Sequence, residues 1–233
     1  MPLDDMLAAY ARIGFRKFEV FTSWAAPFDV DADPRVYLDK GSKHGMAFTS
    51  LHLPPVGEDL DVSRAVQAAR FARALGVGVV LFKATSREGY IRAADAFLDA
   101  TDELGMTPVL QNHFGTPISS LDDLRAVIEG IADDRMKTLL EVGHLHSARV
   151  QWREACDLVG DRIALVHIKD QVGRQSVPFG SGEVDLPGLF AHLRSTGYTG
   201  DYVVEMEVAD KENTLRYLSD AVEYLEENCG VPE

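Results

Sequence analysis

Cysteine is scarce in this chain. Two occur in 233 residues, Cys156 and Cys229, far apart and in helix-like surroundings. That excludes a disulfide framework and lends a catalytic thiol no support. There is no Cys-x-x-Cys pair and no Gly-x-Ser-x-Gly elbow, so thiol-redox and serine-hydrolase chemistry drop out. No apolar run approaches the roughly 20 residues of a membrane span, and Met1-Pro2-Leu3-Asp4-Asp5 does not read as a signal peptide. The expected location is the cytoplasm, with no membrane partner. Cations are also in short supply: 23 Lys and Arg face 37 Asp and Glu, a formal charge of −14. Such a surface repels polyanions, so no nucleic-acid partner is expected, while a neutral sugar is not opposed. The Gly-rich stretch Pro178–Asp185 has no P-loop lysine and is not a nucleotide cradle.

What is present is a rhythm. Helix-like stretches end at a glycine that leads into a short apolar run: Ile13-Gly14-Phe15, His44-Gly45-Met46, Leu75-Gly76-Val77, Leu104-Gly105-Met106 and Thr196-Gly197-Tyr198. The first four glycines (14, 45, 76, 105) are 31, 31 and 29 residues apart. Glycine closes helices because it tolerates a left-handed backbone. Helix, glycine and strand at about 30-residue intervals is the repeat of a βα barrel. The pattern predicts strands at 17–22, 46–52, 77–83, 106–112, 137–142, 163–168 and 201–207. It predicts helices at 3–13, 34–44, 62–75, 88–104, 120–132, 149–158, 186–196 and 211–228. No linker divides the chain, so residues 1–233 read as one α/β domain, a TIM (β/α)8-type barrel whose first strand is missing or atypical. Eight helices meet only seven strands. A closed barrel needs a strand ahead of residue 3, so either that strand lies outside this sequence or the barrel has a gap with two exposed edges.

Four of the apolar strands run directly into polar residues: Gln111, Glu141, His167 and Glu205. A buried parallel strand is apolar throughout, and a polar residue at its carboxyl end points into the barrel mouth, where such folds place their chemistry. Three oxygens and one imidazole suit a hard divalent ion, Mn²⁺, Mg²⁺ or Co²⁺, better than a thiolate-seeking one.

The segments Leu110-Gln111-Asn112-His113, Glu141-Val142-Gly143-His144, His167-Ile168-Lys169-Asp170 and Gly197–Glu205 resemble the xylose-isomerase-like TIM-barrel superfamily. That group includes sugar epimerases, inosose isomerases and dehydratases, and endonuclease IV. The resemblance implies metal ligands at Gln111, Glu141, His167 and Glu205, where the superfamily has Glu, Asp, His and Glu, with Mn²⁺ the foremost candidate. Glu141 is one methylene longer than the family's Asp. Gln111 can still coordinate through its amide oxygen but brings no charge and cannot serve as a base. Of the two carboxylates that exchange the proton beside the carbonyl in the epimerases, Glu205 remains; Glu141 is the other residue that could take a base's role.

The function implied is a metal-dependent isomerase or epimerase acting on a sugar, cyclitol or keto-sugar by enolisation. A lyase performing β-elimination on a keto-sugar or keto-inositol is the alternative, followed by a non-catalytic ligand-binding or subunit protein. Endonuclease activity is the least favoured, because the Asp-x-His expected after His167 reads Ile168-Lys169-Asp170-Gln171-Val172. His144 resembles the family's substrate-contacting histidine, and Lys83, after Val79-Val80-Leu81-Phe82, places a cation at the rim to stabilise an enolate. His52, His113, Lys169, Trp24 and Arg174 complete the expected substrate contacts, and copies of such barrels are expected to pair through outer helices and rim loops.

Overall fold

The structure is a computed structural model that describes residues 1–23 and 28–229. Trp24 lies outside the described residues. The chain opens on α1 (Leu3–Ile13) and continues through β1 (Lys17–Phe21), α2 (Arg35–Lys43), β2 (Ala47–His52), α3 (Ser63–Ala74) and β3 (Val79–Leu81). Next come α4 (Arg87–Thr101), β4 (Thr107–Gln111), α5 (Leu121–Ile131), β5 (Lys137–Glu141), α6 (Val142–Ser147) and α7 (Trp152–Val159). After β6 (Ile163–Ile168) stands a hairpin of β7 (Asp170–Val172) and β8 (Gln175–Val177), then α8 (Leu186–Ser195), β9 (Tyr202–Val204) and α9 (Thr214–Cys229).

Seven parallel strands, in the order β1-β2-β3-β4-β5-β6-β9, make a nearly closed barrel with the helices outside. No ladder joins β1 to β9 among the described residues, so the sheet is open between them. The glycine punctuation matches the backbone: Gly14, Gly45, Gly76, Gly105 and Gly197 all have positive φ. Helix starts are set by short polar side chains. Ser120 and Asp123 form a reciprocal capping box on α5, Ser86 caps α4, and Asp185 caps α8 by accepting from the Gly188 amide.

Two details differ from the sequence reading. The strand expected to run to 142 stops at Glu141, whose carboxylate accepts from the Gly143 amide and starts the short helix α6. The loop after His167 contains the β7–β8 hairpin, anchored by Asp170. Its carboxylate accepts from the backbone amides of Gly180 and Gly182, both at 2.9 Å, and so gathers the Gly-rich stretch beneath it. A Cβ on Gly182 would lie 2.1 Å from that carboxylate, so the close approach requires glycine there.

Strand parity places the site. Leu81, Val109, Leu139 and Leu165 form the fully buried plug inside the barrel, whereas Leu110, Leu140 and Val166 pack outward under the helices. Side chains alternate along a strand, so the residues two positions beyond the plug share its inward face. Those residues are Lys83, Gln111, Glu141 and His167, and Glu205 stands likewise two beyond inward-facing Val203. Among the described residues no helix is long and apolar enough to cross a membrane.

Candidate active site

The floor of the barrel mouth is His167, fully buried, with a carboxylate against each ring nitrogen. Nδ1 lies 3.0 Å from Glu141 Oε2 and 2.9 Å from Glu205 Oε1, while Nε2 lies 3.1 Å from Glu19 Oε2. Burial alone would lower the imidazole's pKa, but the charges of Glu19 and Glu205 and the hydrogen bonds to Glu141 and Glu19 raise it well above the ordinary value. Glu141 is also fully buried. Burial and the neighbouring Glu205 charge lift its carboxyl to about 7, against the opposing pull of His167 and Lys169. Glu205 goes the other way: despite burial, His167 and Lys169 hold it well below the usual carboxylate range.

Neighbouring groups fix these side chains in place. Asn112 faces outward, donates to the Glu141 carbonyl and accepts from the Glu141 amide, both at 2.9 Å, and so sets the end of β5. Lys169 runs buried along the wall, its ammonium 2.7 Å from Glu205 Oε2 and 2.6 Å from Glu207 Oε2. Its stem passes so close to Gly143 that a Cβ there would meet Lys169 Cδ at 2.8 Å.

Glu19 is a residue that the sequence reading missed. It sits at the middle of β1, and its carboxylate accepts from Ser50 Oγ at 2.5 Å and faces His52 Nε2 at 2.9 Å as well as His167. The clue was an acid inside Phe18-Glu19-Val20-Phe21, on the face that parity turns inward. His52 Nδ1 is 2.7 Å from Lys83 Nζ, so this nitrogen accepts and Nε2 carries the proton donated to Glu19. Burial lowers the pKa of both His52 and Lys83. At the rim, the His113 and His144 rings stack with centroids 3.6 Å apart, and burial, then His113 and Lys169, bring His144 down to about 3. Exposed Arg174, on the β7–β8 turn, lies over the Phe114 ring at 4.3 Å.

The structure therefore brings Glu141, His167, Glu205, His144 and Lys169 together, with His52 and Lys83 joined to them through Glu19. Gln111 is nearly buried at the end of β4, and its amide makes no hydrogen bond among the described residues. Arg174 and His113 are at the mouth rather than the floor.

Two groups have metal-grade donors within 4.8 Å of one another: Glu19, His52 and His167, and Glu141, His144 and Glu205. The first has one carboxylate, already accepting three hydrogen bonds, with the Lys83 cation behind it. The second has two carboxylates and the His144 imidazole and lies against Nδ1 of His167, a donor set suited to a divalent cation. In that arrangement Glu19 would keep the proton on Nε2 and turn Nδ1 to the ion.

A family model described as xylose isomerase-like TIM barrel matches residues 7–228. The chain belongs to that family. An inosose dehydratase of Geobacillus thermodenitrificans is 27% identical over 154 residues, 57% of this chain and 51% of that protein. An L-ribulose-5-phosphate 3-epimerase of Salmonella paratyphi C is 37% identical over 65 residues, 27% of this chain and 23% of the relative. The chain spans about half the length of the dehydratases it matches. Among solved structures, an IolI protein with a bound zinc atom superposes with TM-score 0.79 at 14% identity, covering 99% of this chain and 94% of that one. A sugar phosphate isomerase/epimerase of Parabacteroides distasonis gives 0.77 at 17% identity, with 96% and 87% covered. At such identities the likeness is one of fold.

Proposed function

We propose that this xylose isomerase-like barrel is a divalent-metal-dependent enzyme that enolises a keto-sugar or keto-cyclitol. The observation that carries the reading is the placement of two carboxylates from different strands, Glu141 and Glu205, on the same ring nitrogen of buried His167. Glu141, His167 Nδ1 and Glu205 would hold the cation, with the Gln111 amide oxygen as a fourth donor, and the bound ion would polarise the substrate carbonyl.

Glu205 stays ionised at neutral pH and is the base that takes the proton from the carbon beside the carbonyl. Lys169 holds its other oxygen and fixes the carboxylate's direction. Lys83 donates to the oxygen that becomes an enolate, while His52 and Glu19 orient its ammonium. The His113–His144 stack walls the mouth and offers neutral imidazoles to substrate hydroxyls.

Return of the proton to the other carbon of the enediol gives an isomerase. Return to the original carbon on its other face, which needs a second acid, gives an epimerase. Departure of a β-hydroxyl with a proton, as water, gives a dehydratase. One observation favours that second reading. The Gln111 amide cannot supply the proton a two-base epimerase needs, whereas in a dehydratase the proton taken up by Glu205 can leave with the hydroxyl as water.

The test is proton exchange. The protein loaded with Mn²⁺ is incubated in D₂O with a ketohexose or with a keto-inositol, and NMR follows the carbon next to the carbonyl. Deuterium incorporation supports enolisation, and concurrent loss of water selects the dehydratase. Absence of exchange with both substrates, in protein shown to hold the metal, would reject the reading.

A further inference from the structure

Two lysines stand at the barrel mouth, and they are held differently. Lys169 lies between carboxylates, 2.7 Å from Glu205 and 2.6 Å from Glu207. No ion pair joins Lys83 to a carboxylate among the described residues; its Nζ lies 2.7 Å from Nδ1 of His52. Charges taken out of water are ordinarily paired with an opposite charge, so a half-buried lysine set against an imidazole needs a different reason.

The backbone fixes this placement. The Lys83 carbonyl accepts from the Val56 amide at 2.8 Å, and Thr85 N donates to Val56 O at 3.0 Å. That pairing ties the chain beyond β3 to the loop that follows β2, the strand ending in His52. The Glu205 charge acts on Lys83 and the Lys83 charge acts on the His113 ring, so the ammonium stands within the mouth. Behind it, His52 Nε2 is 2.9 Å from Glu19 Oε1, and Glu19 is itself held by Ser50 Oγ at 2.5 Å. An amine against the accepting nitrogen of an imidazole, whose other nitrogen is fixed by a buried carboxylate, is the arrangement of a nucleophile, its base and the group that orients the base. Burial lowers the pKa of Lys83, which eases loss of its proton.

We propose that Lys83 is a nucleophilic amine that forms an imine with a small hydroxy-aldehyde or hydroxy-ketone, with His52 as its base and Glu19 as the positioning residue for His52. The ammonium passes one proton to His52 Nδ1, and the Glu19 charge stabilises the imidazolium. The freed amine attacks the carbonyl carbon: the N–C bond forms, the carbonyl π pair moves to oxygen, and a proton shifts from nitrogen to that oxygen. The C–O bond of this carbinolamine then breaks. The proton held by His52 leaves with the hydroxyl as water, His52 is neutral again, and the nitrogen is a protonated imine. Ammonium and carbonyl have become iminium and water. The neutral His113 and His144 rings offer partners for the hydroxyl groups that flank the carbonyl. This chemistry uses no cation and stands apart from the enolisation above.

The test is reductive trapping. The chain, cleared of divalent ions with EDTA, is incubated at pH 7.5 with glycolaldehyde and sodium cyanoborohydride, which reduces an imine to a stable secondary amine. Peptide mass mapping then reads the rate at each lysine. Lys83 is expected to be labelled at least tenfold faster than exposed Lys43 and Lys211. The ratio should shrink as pH approaches about 10, where ordinary lysine amines are free as well. His52→Gln keeps an acceptor but cannot take up the proton; it should slow labelling of Lys83 at least tenfold and leave Lys211 unchanged. Lys83→Arg should remove the fast adduct. A Lys83 rate no faster than that of Lys211 in the unmodified chain overturns the inference, as does a rate within twofold of the unmodified chain in His52→Gln shown by circular dichroism to be folded. If that variant does not fold, the unmodified chain decides: a Lys83 rate that rises with pH in parallel with Lys211 overturns the inference, and a rate already near its plateau at pH 7.5 supports it. With the ions removed, none of these outcomes depends on whether the site enolises a sugar around a bound cation.

Discussion

Replacing Glu19 with glutamine tests the logic of the site from behind. The Glu19 carboxylate is 6% exposed and meets three donors: Ser50 Oγ at 2.5 Å, His52 Nε2 at 2.9 Å and His167 Nε2 at 3.1 Å. Glutamine keeps the shape but turns one oxygen into an NH₂, so at least one imidazole N–H faces another donor. A buried polar group left without a partner costs about 1–3 kcal/mol. At about 2–4 °C per kcal/mol for a chain of this size, Tm should fall by roughly 2–12 °C. Loss of the partner that orients a metal-bound histidine costs about 10–100-fold in affinity, or about 1.4–2.7 kcal/mol at 1.36 kcal/mol per decade. Calorimetric titration with Mn²⁺ at pH 7.5, beside a thermal melt, reads both quantities. A lower Tm with an Mn²⁺ dissociation constant within twofold of the unmodified protein would refute the reasoning, because the glutamate would then support the fold without directing His167 at an ion.

Three further outcomes are expected. Gly143→Ala places a methyl 2.8 Å from Lys169 Cδ and pushes the ammonium off Glu205, so kcat should drop tenfold or more in a protein that still binds Mn²⁺; unchanged kcat removes Lys169 from the mechanism. Gln111→Glu restores a carboxylate at the end of β4 and should tighten Mn²⁺ binding by an order of magnitude, seen by calorimetry; weaker or equal binding argues that residue 111 does not face the ion. Cation affinity should rise with pH through about 7 and go on rising above it, because binding must displace a proton from Glu141, lifted to about 7 by burial and the Glu205 charge, and from His167 Nδ1, held well above the ordinary imidazole value by its carboxylate neighbours. Without the cation, the raised Glu141 value means that its contribution to stability declines as pH climbs from the ordinary carboxyl value of 4.5 through about 7. Proton release measured in buffers of different ionisation enthalpy checks the binding claim, and pH-independent affinity contradicts it.

The barrel was legible because two periodicities agree: glycine at the helix ends about every 30 residues, and apolar strands that finish in polar residues. Parity then puts Gln111, Glu141, His167 and Glu205 on the inward face, where Glu141 and Glu205 meet the ring of His167. Glu19 was hidden because β1 is short and its acid reads as an ordinary polar interruption; its meaning appears only when β2 and β6 bring His52 and His167 to it. Helix α6 was missed for a related reason, since the cap that starts it is a side chain already assigned to the site. The hairpin after His167 depends on one carboxylate, Asp170, gathering amides more than ten residues away, which no local pattern reveals. Nor does a local pattern show that α1 meets α9, from opposite ends of the chain.

The most direct measurement of the central claim is an anomalous-scattering map from a crystal grown with Mn²⁺. The account predicts one peak at roughly 2.0–2.3 Å from His167 Nδ1 and from carboxylate oxygens of Glu141 and Glu205. A peak among Glu19, His52 and His167 Nε2 instead, or no peak in the barrel mouth at saturating Mn²⁺, would contradict it.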